Sequence, residues 1–136
     1  MDDEGPIIKV EQVGRSSKLK SGVWEVCWRV ENLNEEAVEI ISARAPHGKY
    51  RSPEHEFLPR VKISGSQSAR IQLAVSCEEA SGVTIENAFL ILLVDWLNAR
   101  WRIFVRFVVT VDGAGRPATK TELITTHRVG FSGVSD

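Results

Sequence analysis

Cysteine is scarce in this 136-residue chain, which contains only Cys27 and Cys77. A chain of this length buries enough surface to fold without disulfide staples. Long apolar runs are also missing. The longest, Ala88 to Val94, is far too short to span a bilayer. Neither sign of charge dominates: 17 basic side chains stand against 18 acidic ones, for a net charge of -1. Such a balance gives no global pull toward nucleic acid. No stretch carries a helical period of useful length, and there is no internal repeat or low-complexity tract. The opening Met1-Asp2-Asp3-Glu4 is acidic where a secretory leader is positive, so a cytoplasmic protein is expected.

What is present is alternation with a period of two. After the Gly5-Pro6 breaker a strand is predicted over Ile7 to Val13. Arg15 to Gly22 reads as a polar basic turn. Gly22 to Asn32 alternates cleanly, and a turn follows at Asn32 to Glu36. In Ala37 to Ala45 the apolar phase changes from Val38 and Ile40 to Ile41, Ala43 and Ala45, which predicts a β-bulge. Pro46 to Glu56 reads as a loop. Further strands are predicted over Phe57 to Ile63, Ala69 to Cys77, Glu86 to Leu97 and Arg100 to Asp112. A weak last strand runs from Thr119 to Val129. The expected organisation is a short N-terminus (1–5), one domain (6–129) and a tail (130–136).

About eight short strands with regular turns define an all-β domain, expected as an antiparallel two-sheet β-sandwich. Strand number, strand lengths and the Trp24-x-Val26-x-Trp28-x-Val30 strand resemble those of immunoglobulin-like domains. The resemblance covers most of the chain and concerns fold alone, so it implies no function. The inter-sheet Cys…Trp…Cys pattern of that family is missing. Cys27 lies on the polar face of its strand beside Glu25 and Arg29. Cys77 continues the apolar set Ile71, Leu73, Val75, so the two thiols are expected on different faces.

The central hairpin has two unlike faces. A turn at Asn98-Ala99 pairs Trp96 with Trp101, Val94 with Ile103, Leu92 with Val105 and Leu90 with Phe107, a core face. The other face pairs Asp95 with Arg102, Leu93 with Phe104, Ile91 with Arg106 and Phe89 with Val108. A solvent face is normally polar. This one clusters apolar side chains edged by arginine, as interfaces do. Either the C-terminal segment (Leu123, Ile124, Val129, Phe131) covers it, or a second copy or another protein does.

The Pro46 to Glu56 segment gathers His47, Tyr50, Arg51 and His55 among other polar groups. Loops on rigid scaffolds often bind ligands, and histidine suits zinc-type ions. The spacing selects no particular metal geometry. Arg15, Lys18 and Lys20 form a basic patch without the interleaved aromatics of a nucleic-acid surface. Asp112-Gly113-Ala114-Gly115 precedes no helix and reads as a turn. No serine sits in a nucleophile elbow, and no acid/base pair can be assembled. The expectation is a non-catalytic interaction module without cofactor or membrane contact. Its interface would be Phe89, Ile91, Leu93, Asp95, Arg102, Phe104, Arg106 and Val108, with homodimerisation as one form. The alternative is a small-ligand or metal site using His47, Tyr50, Arg51 and His55.

Overall fold

Alternating side chains set the strands. Across Val23–Asn32, Trp24, Val26, Trp28 and Val30 are buried while Glu25 and Arg29 are exposed. That is the period a one-sided sheet requires. The computed structural model describes residues 5–130, and these contain no helix. They form β1 (Ile8–Gln12), β2 (Ser17–Lys20), β3 (Val23–Asn32), β4 (Val38–His47) and β5 (Tyr50–Ile63). The remainder are β6 (Ser68–Ser76), β7 (Thr84–Trp96), β8 (Ala99–Val111) and β9 (Pro117–Arg128).

The strands pair antiparallel in the order β1-β3-β6-β5-β4-β7-β8-β9, with β2 on the same edge of β3 as β1. The sheet is nearly closed and barrel-like. Its seam between β1 and β9 is held by side chains. Thr119 donates to Gln12 Oε1 from its backbone N (2.7 Å) and its hydroxyl (2.9 Å). Thr121 Oγ1 donates to the Val10 carbonyl at 2.7 Å, and Ser16 Oγ to that of Pro117 at 2.7 Å. The chain before β1 follows the same seam. A Cβ on Gly5 would lie 2.8 Å from both Thr126 Oγ1 and Trp101 Cε3, so only glycine permits this approach. On the other side the β5–β6 junction is a single backbone pair, Arg51 with Ser76.

One core fills the interior. The rings of Trp28 (β3) and Phe107 (β8) stack 5.8 Å apart and within 2° of parallel, joining opposite walls. Trp28 Nε1 donates to Thr119 Oγ1 at 3.1 Å, which satisfies its polar handle. Leu90, Leu92, Val94, Ile103 and Val105 are fully buried around this pair. Burial of each is worth about 1.5–3 kcal/mol. Asn32 is also fully buried, and its side chain ties the ends of β3 and β5 together.

Several sequence expectations need correction. The described residues form nine strands, because β2 forms inside the supposed basic turn. The Pro46 to Glu56 loop is the β4–β5 hairpin. Its prolines are tolerated for positional reasons. Pro46 lies beyond the last β4–β7 pair, Arg44 with Ile91, so its missing N–H leaves no ladder bond unmade on that side. Pro53 sits where the β4–β5 register shifts between Ala43 and Ala45. The phase change in β4 is the register shift between Ile40 and Ser42. Cys27 is half-buried, Cys77 is buried, and both are free thiols.

Candidate functional site: the outer face of the central hairpin

The β7–β8 turn consists of Leu97 and Asn98, with φ of 51° and 61°. Two consecutive positive φ values make a type I′ turn, whose twist matches a hairpin. Trp96 therefore pairs with Ala99, not with Trp101. The outer pairs become Asp95 with Arg100, Leu93 with Arg102, Ile91 with Phe104, and Phe89 with Arg106. The expected register was two residues out. The face assignment survives, because a shift of two keeps every side chain on its side. Val108 now pairs across β8–β9 with Lys120, beside a bulge at Glu86–Asn87 in β7.

Seven of the eight expected interface residues therefore share one outer surface with Val108 at its margin. Phe89 meets Phe104 edge-on at 6.2 Å, and Phe104 meets His127 of β9 edge-on at 5.3 Å. Phe89, Leu93, Phe104 and Val108 are half-buried. Ile91 of β7 and Ile41 of β4 are only 6% exposed, yet neither belongs to the contiguous interior core. Their burial comes from the outer face itself. The opposite wall is different. Lys9, Glu11, Glu25, Arg29, Arg70 and Gln72 alternate outward there, an ordinary solvated surface.

The C-terminal strand does not fold over this face. It extends the sheet: Ile124 packs inward opposite Val105, and Leu123 stands 47% exposed beside Arg106. Val129 N donates to the Arg100 carbonyl, continuing the strand direction. Phe131 lies outside the described residues.

Charge on the face is unevenly satisfied. Asp95 takes Arg100 Nε at 2.9 Å and Arg60 Nη1 at 3.3 Å, and Arg60 also reaches Glu39 at 3.1 Å. The hydrogen bond from Arg100 holds the Asp95 carboxyl below its usual range. Arg106 Nε lies 3.5 Å from Glu122, an ion pair without hydrogen-bond geometry. Arg44 and Arg102 differ: neither makes an ion pair or hydrogen bond among the described residues. Together with Ser42, Glu54, Ile91 and Leu93 they line a hollow of about 330 Å³. Ser42 Oγ donates to Glu54 Oε2 at 2.7 Å in its wall.

The alternative set does not converge. Tyr50 is fully buried in the core, its hydroxyl lacks a hydrogen-bond partner among the described residues, and burial pushes its pKa up. His47 Nδ1 accepts from Lys49 N at 3.0 Å within its own turn. His55 lies further along β5, edge-on to Phe57 at 5.0 Å, and Arg51 is exposed. No group of three or more His, Cys, Asp or Glu side chains suited to a metal ion occurs among the described residues. Sequence reasoning missed Ser42, Arg44 and Arg60. Only the adjacency of β4 to β7 and to β5 brings them to the hairpin. No family model and no curated protein matches this chain.

Proposed function

We propose that this protein is a non-catalytic docking module that binds another protein through the outer face of β7 and β8. The observation that carries the reading is the apolar cluster Phe89, Ile91, Leu93 and Phe104 on a face that alternation should make polar. Its composition, aromatic and aliphatic side chains edged by arginine, is that of interface centres. The side-chain seam and the one-pair junction separate β2-β1-β3-β6 from β5-β4-β7-β8-β9. We read these as the two layers of an immunoglobulin-like sandwich, whose second layer presents the docking face.

The partner we favour is a different, acidic protein. A two-fold axis through Leu93 and Phe104 would bring Arg44 and Arg102 of two copies together. Like charges at the centre of an isologous contact are unfavourable. Site-specific photo-crosslinking in the native host tests the proposal. A benzophenone side chain replaces Phe104 in one strain and Arg29, on the opposite wall, in another. The expected result is one dominant adduct from position 104 through an acidic, apolar peptide, and none from position 29. Equal adducts from both positions, or none from 104, would overturn the docking face. An adduct of the chain with itself would overturn the acidic partner and leave a homodimer.

A further inference from the structure

The hollow beside Leu93 is built by four strands. Glu54 comes from β5, Ser42 and Arg44 from β4, Ile91 and Leu93 from β7, and Arg102 from β8. The register fixes the arrangement. Arg44 lies across from Ile91, Ser42 from Leu93, and Leu93 from Arg102. The two arginines are therefore diagonal to each other on either side of the Ile91–Leu93 floor. Strand spacing sets their backbones roughly 12 Å apart. That gap is close enough for both long side chains to reach one small group held between them.

Three features define what would fit. The floor is aliphatic, and Ile91 is nearly buried. The two guanidiniums make no ion pair among the described residues, and they share the hollow with one wall carboxylate, Glu54, which accepts from Ser42. Two positive groups against one negative leave a local excess of a single positive charge. The other guanidiniums of the same face are paired, Arg60 and Arg100 with Asp95 and Arg106 with Glu122. Among the guanidiniums of this face, the two without an ion pair among the described residues are those that line the hollow.

We infer that this hollow takes one carboxylate on a short apolar stem, clamped by Arg44 and Arg102 above Ile91 and Leu93. A guanidinium offers paired N–H donors in the geometry that a carboxylate accepts. An aliphatic floor holds the methylenes of the stem. The inference rests on the docking reading above and specifies it: the carboxylate is a glutamate side chain of the partner protein, with apolar neighbours placed on Phe89 and Phe104.

The test uses two capped tripeptides, acetyl-Leu-Glu-Leu-amide and acetyl-Leu-Gln-Leu-amide, with butyrate as the small-carboxylate control. Each is titrated into the isotope-labelled full chain at constant ionic strength, reading the arginine Nε–Hε resonances. The expected result is saturable shifts of Arg44 and Arg102 with the glutamate peptide. Affinity should fall about tenfold with the glutamine peptide and again in Arg102→Gln. Arg44→Gln gives an independent second loss, and thermal melts establish that both variants fold. Equal response to both peptides, or shifts elsewhere only, overturns the clamp. Butyrate binding as tightly as the peptide overturns a protein side chain as its source. Failure here with a dominant adduct at position 104 leaves the docking face standing and removes only the carboxylate clamp.

Discussion

Replacing Asn32 with alanine is expected to destabilise this protein more than its small volume change suggests. Asn32 is fully buried at the end of β3. Its Nδ2 donates to the carbonyls of Ile63 (2.9 Å), Glu36 (2.9 Å) and Ser64 (3.2 Å). Its Oδ1 accepts from Asn34 N (2.9 Å) and Asn34 Nδ2 (2.8 Å). Asn34 in turn bonds Ile7 through both its amide atoms, so the start of the chain depends on the same node. In Asn32→Ala the buried Ile63 carbonyl is orphaned, at a cost of about 1–3 kcal/mol. The Glu36 and Ser64 carbonyls lie nearer solvent and find water, losing about 0.5–1.5 kcal/mol each. The sum is about 4 kcal/mol, or roughly 15 °C in Tm for a domain of this size. Urea unfolding should show a lower midpoint at unchanged slope. Asn32→Asp sharpens the test, because it keeps the shape and sets an acceptor oxygen against three carbonyls. It should be worse than alanine at neutral pH. Its deficit should shrink as pH falls, since a protonated carboxyl regains a donor. A loss below about 0.5 kcal/mol in Asn32→Ala, or Asn32→Asp milder than alanine, would refute the hydrogen-bond account.

Other consequences follow from the hairpin and its charges. Leu97 and Asn98 both occupy the left-handed region, where a branched side chain such as leucine is strained. The double change Leu97→Asn, Asn98→Gly should raise stability by about 1 kcal/mol in the same unfolding assay, and a loss would contradict the type I′ turn. Asp95 has a folded-state pKa below its ordinary value. Its contribution is therefore present above about pH 4 and lost as pH falls through the depressed value. The pair is about a third exposed, so the effect is at most about 1 kcal/mol. Asp95→Asn should flatten the acid limb of a stability-versus-pH curve, and an unchanged curve would rule out the Arg100 pair as a contributor. Cys27 is half-buried on the outer wall and Cys77 is buried. A thiol reagent on the native protein should label Cys27 first, with Cys77 reacting only on unfolding, and equal rates would contradict their opposite placement.

The division of labour between the hairpin's faces was legible because a period of two survives any even slip in register. The turn itself was not. Asn98 suits a left-handed turn position, but leucine disfavours positive φ, so Leu97-Asn98 does not read as a type I′ turn, and the expected pairing lies two residues out. The Pro46 to Glu56 segment misled in the opposite direction. Two prolines and a glycine read as a loop, while a register shift absorbs Pro53 and the position of Pro46 needs no ladder bond. That error also placed Tyr50 in a binding loop when its ring belongs to the core. Arg44 was invisible as a site residue for a topological reason. It is one half-buried side chain in a mostly buried strand, far in sequence from Arg102. The order β4-β7-β8 is what sets them around the same two aliphatic residues.

The most direct test is the affinity of the protein crosslinked from position 104, measured by calorimetry against the unmodified chain and Phe104→Asp. A central aromatic of a docking face contributes about 2 kcal/mol or more, so the variant should bind at least about thirtyfold more weakly. Arg29→Asp, on the solvated wall, should bind as the parent does. A Phe104→Asp variant that stays folded and binds within about threefold of the parent would contradict the claim that this face is where the protein docks.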